Sequence, residues 1–316
     1  MIEYKKSNKN NSISIVIPVY NSENTIRMVV DKIDETLSGK IKYEVVIIND
    51  GSSDNSYEKC VKITQDYRQV KFISLSRNFG QHNAIIAGLH YVRGDYIIFM
   101  DDDLQTPPEE LWKFINKIEE GYDVVYANYI CKQHSLLKNI NGNIKNAIFN
   151  LFIKKPKDIN ITNYFVIRKF LVHEIIQYTG PFTFLSGLVL RSTNNIGSVD
   201  VHHSKREYGI SNYSFLKLFH HGLNGIINFS ILPLRISFIF GTFCSISGFF
   251  FSIFFLVRKL LRPDIILGWT SMIIAILFFS GIILIMIGII GEYIGRIFLY
   301  LNKQPQYVIK KKINID

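Results

Sequence analysis

Cysteine is scarce. Only three occur in 316 residues, Cys60, Cys131 and Cys244, and none sits at a spacing that binds zinc or staples a small secreted fold. Cys244 lies inside an apolar stretch, so no disulfide framework is expected and a reducing compartment suits the chain. Glycine-rich phosphate loops are missing too: there is neither a P-loop nor a dinucleotide fingerprint, which disfavours NTP hydrolysis and nicotinamide chemistry. The opening residues, MIEYKKSNKNNS, are polar and lack the apolar core of a signal peptide. The domain that follows is therefore expected to stay on the cytoplasmic side. Acidic residues are the minority, with 36 Lys and Arg against 26 Asp and Glu and a formal charge of +10. That balance suits nucleic acid, anionic lipid or phosphorylated substrates equally.

What is abundant is apolar surface, and it is unevenly placed. Hydrophobic residues reach 48% and mean hydropathy is +0.15. Residues 1–230 read as an ordinary soluble domain, and the excess sits in 231–301. This favours a membrane surface as the partner of the basic charge over nucleic acid, which is not expected. Ile236–Val257 contains no charged residue over roughly 22 positions, enough to span at 1.5 Å per residue. Arg258, Lys259, Arg262, Pro263 and Asp264 form a short loop. A second uncharged stretch, 265–290, is closed by Glu292 and Arg296. Two spans with a tight loop make a hairpin whose flanks share one side. Arg235, Arg296, Lys303 and Lys310–Lys312 put that side in the cytoplasm, with 302–316 expected as a basic cytoplasmic tail. Gly281, Gly288, Gly291 and Gly295 are expected to let the two helices approach closely.

Ahead of the hairpin, apolar runs alternate with helical patterns. Strands are predicted at 13–19, 43–48, 70–75 and 96–100, each followed by a helix, with a further strand at 123–127. Short loops and this alternation predict an α/β, doubly wound, mostly parallel sheet. Residues 130–230 are less regular: a basic stretch, strands at 161–167 and 196–201, then a helix over about 211–230. The apolar face of that helix would pack on the sheet or lie among lipid headgroups, the second being favoured by the span that follows.

The chain is organised around DYIIFMDDDLQTPPEE, residues 95–110. A short apolar strand empties into Asp101, Asp102 and Asp103, and open α/β sheets bind ligands at the C-terminal ends of their strands. Crowded carboxylates repel, and a divalent cation relieves the repulsion. Oxygen ligands suit Mg²⁺ or Mn²⁺ completed by substrate phosphates. A solvated acidic turn is the plain alternative. Asp50, in the turn IINDGSSD, and Tyr20 and Glu23, after Pro18, end neighbouring strands and would suit a base and a ribose. Each is also simply a good turn.

Together these segments resemble family 2 glycosyltransferases of the GT-A fold, and within them the polyprenyl-phosphate sugar transferases. The resemblance rests on IVIPVYNSEN (15–24), VVIINDGSSDNS (45–56), LSRNFGQHNAIIAGL (75–89), GDYIIFMDDDLQTPPEEL (94–111), HSKREYGISNYSFLKL (203–218) and NFSILPLRI (228–236). YANYICKQHSLLKN (126–139) and PFTFLSGLVLR (181–191) look closest to bacterial undecaprenyl-phosphate aminoarabinose transferases; dolichol-phosphate mannose synthases are more distant. The resemblance implies that Asp101, Asp103 and Gln105 ligate the metal, and that Pro18, Tyr20, Glu23 and Asp50 line the nucleotide site. It implies that Arg206 contacts the donor diphosphate with Ser211 nearby, and that Lys132 and Lys138 face the acceptor phosphate. It also implies self-association. Three positions depart from the pattern. Thr106 stands where some relatives carry an acid, Asn212 where many carry Lys, and Lys132 and Lys138 where several carry Arg, which binds phosphate bidentately as Lys does not.

The implied reaction is an inverting transfer from a nucleotide sugar, UDP by preference, to a polyprenyl phosphate such as undecaprenyl phosphate. It would take place at the cytoplasmic face of the inner membrane, for cell-envelope glycan or lipopolysaccharide modification. A processive polysaccharide synthase would carry more spans and a Gln-x-x-Arg-Trp motif; Trp112 and Trp269 stand in other contexts. A transferase to another membrane glycolipid and a silent nucleotide-sugar binder are the other readings. The sugar itself is not legible.

Overall fold

The computed structural model describes residues 11–129, 159–180, 183–202, 232–261, 269–302 and 304–315. The chain divides into two compact units, Met1–Leu218 with Gln304–Asp316, and Phe219–Lys303. The first unit is built on one sheet of eight strands among the described residues, in the order β7-β5-β6-β4-β1-β2-β3-β8.

β1 (Ser12–Val19), β2 (Lys42–Asn49), β3 (Val70–Leu75) and β4 (Tyr96–Phe99) form its parallel centre. Their residues are almost wholly buried because helices cover both faces, as a near-continuous apolar run requires. Ile13, Ile15, Ile17 and Val19 share one core with α1 (Ile26–Leu37), α2 (Ser56–Asp66) and α4 (Leu111–Glu119). On the opposite face Val16 and Ile48 lie under α3 (Gln81–Leu89). A side chain at Gly88 would come within 2.6 Å of Ile48 Cδ1, so glycine there sets how closely α3 approaches the sheet. Pro108–Glu110 forms a 3-10 turn ahead of α4.

The other half departs from parallel order. The strand expected at 161–167 is β6 (Phe165–Arg168), antiparallel both to β4 and to β5 (Val124–Tyr129). β7 (Ile196–Val201) returns parallel to β5. Four of the seven strand pairings are therefore parallel. α5 (Lys169–Ile176) and α6 (Leu185–Ser192) fill the chain between β6 and β7.

The expected basic tail is corrected in part. Ile309–Ile313 is β8, antiparallel to β3, with Phe72 opposite Ile313 and Leu75 opposite Ile309. Its sequence IKKKI puts three exposed lysines between two half-buried isoleucines, and lysine on an edge strand discourages pairing with further chains. Asn314, at φ +57°, donates through Nδ2 to Thr64 O and Val70 O at 3.0 and 2.9 Å. Just before the strand, the Gln306 amide donates to Tyr178 O (2.9 Å), Gly180 O (2.7 Å) and Thr183 Oγ1 (3.1 Å). Part of the expected basic tail thus belongs to the sheet, where it covers the edge of β3.

The second unit contains α7 (Leu232–Leu261) and α8 (Trp269–Leu301), of 30 and 33 residues. At 1.5 Å per residue these reach about 45 and 50 Å, beyond the ~30 Å of a bilayer's hydrocarbon core. Their windows Pro233–Phe251 and Phe278–Leu301 are long and apolar enough to cross a membrane. α8 runs on through Glu292 and Arg296, which pair one turn apart at 2.7 Å, where the sequence suggested an end at 290. The glycine expectation is corrected as well. A side chain at Gly281, Gly288, Gly291 or Gly295 would meet no described atom within 4 Å, and it is Gly241 of α7 that faces Met286. The helix expected over 211–230 lies outside the described residues.

Candidate active site

β4 ends between β1 and β6, and the chain turns out of the sheet at Asp101–Asp103. The turn uses Leu104 at φ +59°, a left-handed conformation that costs a non-glycine residue about 1 kcal/mol. Leu104 nonetheless sits in the core, and its burial offsets that cost. Asp103 Oδ1 accepts from Gln105 N at 3.1 Å, tying the turn to itself. Tyr164 OH donates to Pro107 O at 3.3 Å and holds the far end.

The three aspartates have different surroundings. Asp101 Oδ1 accepts from Gln81 Nε2 at 2.7 Å, from the first turn of α3. Asp102 turns toward β1: its Oδ2 accepts from Ser22 Oγ and from Tyr20 N, the latter at 3.4 Å. Burial pushes the Asp102 carboxyl up to about 7; the neighbouring Asp101 and Asp103 charges add to the rise and the Ser22 bond works against it. Asp103 is partly exposed. Tyr129, at the end of β5, is close enough for the charges of Asp101 and Asp103 to raise its phenol further above its ordinary value, after burial. Thr106 is buried and its hydroxyl has no hydrogen-bond partner among the described residues.

The ends of β1 and β2 adjoin this turn and are zipped to each other. Asn21, at φ +54°, donates its N–H to Ser52 Oγ (3.1 Å) and accepts from Ser53 N (2.9 Å). Ser22 N donates to Ser56 Oγ (2.8 Å) and Glu23 N to Asp54 Oδ2 (3.1 Å). The Glu23 carboxylate accepts from Asn55 N and Nδ2 at 3.1 and 2.8 Å. Pro18 is buried in β1 opposite Ile48, while Tyr20 is 48% exposed. Asp50, at 3% exposure, accepts from Phe79 N (2.7 Å) and Gly80 N (2.9 Å). Burial raises its carboxyl, and the two amides only partly offset the rise. Beside it Gly51, at φ +65°, leaves no room for a side chain, which would lie 2.6 Å from Asn78 N.

Of the residues singled out from sequence, Pro18, Tyr20, Glu23, Asp50, Asp101, Asp103 and Gln105 thus gather on adjoining strand ends. Glu23 and Asp50 are engaged with backbone there. Lys132, Lys138, Arg206 and Ser211 lie outside the described residues. Sequence reasoning passed over Gln81, Ser22 and Tyr129, and it left Asp102 unassigned. Gln81 stands within the segment 75–89, directly after a glycine that opens a helix, and that position was its signal.

No group of three or more His, Cys, Asp or Glu side chains is arranged to cage a metal among the described residues. Asp101 and Asp103, with the Gln105 amide two residues on, offer a sparse set of hard oxygens. Mg²⁺ and Mn²⁺ accept such a set, taking one or two carboxylates and completing the shell with water and substrate phosphates. The donors present fit a cation of that kind.

The model of the family "Glycosyl transferase family 2" matches residues 14–176. The chain is 33% identical over 308 residues to the putative glycosyltransferase CsbB of Bacillus subtilis, covering 96% of this chain and 92% of that one. It is 33% identical over 315 residues to an undecaprenyl-phosphate 4-deoxy-4-formamido-L-arabinose transferase of Photorhabdus laumondii, covering 95% and 94%. Among solved structures it resembles glucosyl-3-phosphoglycerate synthase of Mycobacterium tuberculosis, in complex with Mn²⁺ and UDP-glucose. The TM-score is 0.52 at 17% identity, over 69% of this chain and 77% of that one. That likeness concerns the fold alone.

Proposed function

Because the chain belongs to glycosyl transferase family 2 and is a glycosyltransferase, we propose that it moves a sugar from a UDP-linked donor to undecaprenyl phosphate or a related polyprenyl phosphate. The reaction takes place at the cytoplasmic face of the inner membrane and requires Mg²⁺ or Mn²⁺. The observation that carries this reading is the carboxylate pair Asp101 and Asp103 at the end of β4, on a chain that also holds two membrane-length helices. The Photorhabdus relative named for undecaprenyl phosphate, alike over nearly the whole of both chains, supports the acceptor. The Mn²⁺ and UDP-glucose bound by the mycobacterial enzyme are in keeping with the donor and cation.

The chemistry asks little of a base. A phosphate monoester has a second pKa near 6 and is largely a dianion at neutral pH, so a threonine at position 106 is sufficient where other acceptors would need a carboxylate. One acceptor phosphate oxygen attacks the anomeric carbon, and the bond from that carbon to the donor diphosphate breaks with inversion. The nucleoside diphosphate leaves with the electron pair. Asp101, Asp103 and Gln105 hold the cation. When bound, it neutralises charge gathering on the leaving diphosphate. Arg206 contacts the donor diphosphate as a charge clamp, with Ser211 contributing to the same site, and preorganised charge of this kind is where enzymes gain most. Tyr20, on its exposed loop, stacks on the base, and Pro18, Glu23 and Asp50 shape the floor beneath it. Lys132 and Lys138 attract the acceptor phosphate, and α7 and α8 keep the domain at the headgroups.

The test is direct. Purified protein is incubated with undecaprenyl phosphate and a panel of nucleotide sugars, with Mg²⁺, Mn²⁺ or EDTA. A lipid-phosphate sugar of inverted configuration, lost in EDTA, is the expected product. Absence of any lipid-linked product overturns the acceptor, and retention of configuration overturns the single displacement.

A further inference from the structure

We propose that Gln81 is a positioning residue for Asp101, fixing the carboxylate in the orientation that receives the cation; this rests on the metal-dependent transferase reading above. Gln81 Nε2 reaches Asp101 Oδ1 at 2.7 Å. It is the first residue of α3, and its placement is over-determined by the loop before it. Both oxygens of buried Asp50 hold the N–H groups of Phe79 and Gly80. Asn83 Nδ2 reaches back to Phe79 O at 2.8 Å. Gly80 turns the chain at φ +89°, and the backbone at Arg77 and Asn78 is packed onto Gly51. From the other side, the His82 ring meets Phe184 edge-on with centroids 5.5 Å apart. Phe184 follows Thr183, which Gln306 holds.

A side chain carried by so constrained a turn is aimed. An amide donor at one carboxylate oxygen selects the rotamer in which the carboxylate meets the cation. Partners that orient metal ligands in this way are typically worth 10–100-fold in affinity. Asp50, just past the end of β2, then acts at a distance by holding the turn from which Gln81 projects.

The experiment measures Mn²⁺ uptake by the full-length protein in detergent with UDP present, from loss of the free Mn²⁺ resonance signal. Wild type is compared with Gln81→Met, which keeps length and helix propensity without the donor, and with Gln81→Ala. Mn²⁺ affinity is expected to fall about 10-fold or more in both, with the metal-free melting temperature unchanged. Wild-type affinity in both variants overturns the role of Gln81 and leaves the transferase reading standing. A fall in affinity that tracks a lower metal-free melting temperature makes Gln81 a structural residue and also overturns it. If wild type takes up no Mn²⁺, the metal assignment of Asp101 fails, and the role of Gln81 fails with it.

Discussion

Two acidic strand ends lie close together in this sheet and put their carboxylates to opposite uses. At the end of β2, Asp50 and Asp54, with Glu23 from the neighbouring loop, accept from backbone N–H groups of other loops. There a carboxylate stands in for a backbone acceptor, and removing it loosens the loop whose N–H it holds. At the end of β4, Asp101 and Asp103 remain partly exposed, and only Asp102 is committed to the β1 loop. Both ends read alike as Asp-rich turns after an apolar run. The difference lies in the partners: at the end of β2 the carboxylates are taken up by backbone amides, with Asp50 fully closed over, whereas Asp101 accepts from a side-chain amide.

The sharpest way to break the comparison is Asp103→Ala. It should lower transfer by about 100-fold or more, as loss of a transition-state charge partner does, without shifting the melting temperature by more than about 2 °C. Radiolabelled sugar transfer to lipid, paired with a thermal melt, measures both. Full activity would return Asp103 to the class of acidic turns. Asp50→Ala should lower the melting temperature as well as transfer, because it removes the acceptor that holds the turn carrying Gln81. The Phe79 N–H loses its acceptor and the Gly80 N–H keeps only Asn78 Oδ1, at a cost of about 1–3 kcal/mol, which lowers the melting temperature by roughly 2–12 °C for a domain of this size. Asp50→Asn keeps one acceptor oxygen and should recover part of that loss. A melting temperature unchanged in Asp50→Ala would mean that this end is not scaffold.

A smaller effect is expected from Gln306→Ala, which frees three acceptors that face the amide. About 1–2 kcal/mol of stability is at stake, and faster hydrogen exchange over 178–184 is the accompanying sign. The smallest concerns Glu44, at the opposite ends of the strands. Burial raises its carboxyl, but bonds from Lys71, Ser14 Oγ and Arg93 N outweigh it and hold it below the usual range. Lys71 Nζ lies 2.7 Å from Glu44 Oε2. A lowered folded pKa contributes stability above the unfolded value of about 4.3, and that stability is lost as pH falls through the folded one. The melting-temperature gap between wild type and Glu44→Gln should therefore be full at pH 7 and close below about pH 4. A gap independent of pH would show that Glu44 is held by packing alone.

Much of the molecule is legible in the order of residues. β1 to β4 and the helices between them follow from apolar runs bounded by Asn, Asp, Gly and Pro, because burial on both faces of a parallel strand writes itself locally. The two long apolar helices are legible for the same reason. β6 was harder. Its residues mark a strand, but nothing in them says that it inserts antiparallel between β4 and β5. β8 reads as a basic tail because its lysines outnumber its isoleucines, and only an unpaired edge of β3 makes it a strand. The glycines of α8 suggested a helix contact, yet their spacing cannot say which face turns toward α7.

What the sequence determined by itself is therefore the alternation of strand and helix, the apolar hairpin segments and the place where carboxylates leave the sheet. Each depends on residues within one or two turns of chain. The tertiary structure alone decided that Asp50 and Glu23 serve backbone amides, that Asp102 belongs to the β1 loop, and that Gln81 reaches Asp101. Those roles are set by segments distant in sequence meeting at adjacent strand ends. A carboxylate's hydrogen-bond partners, and hence its availability for chemistry, are fixed only once those ends are brought together.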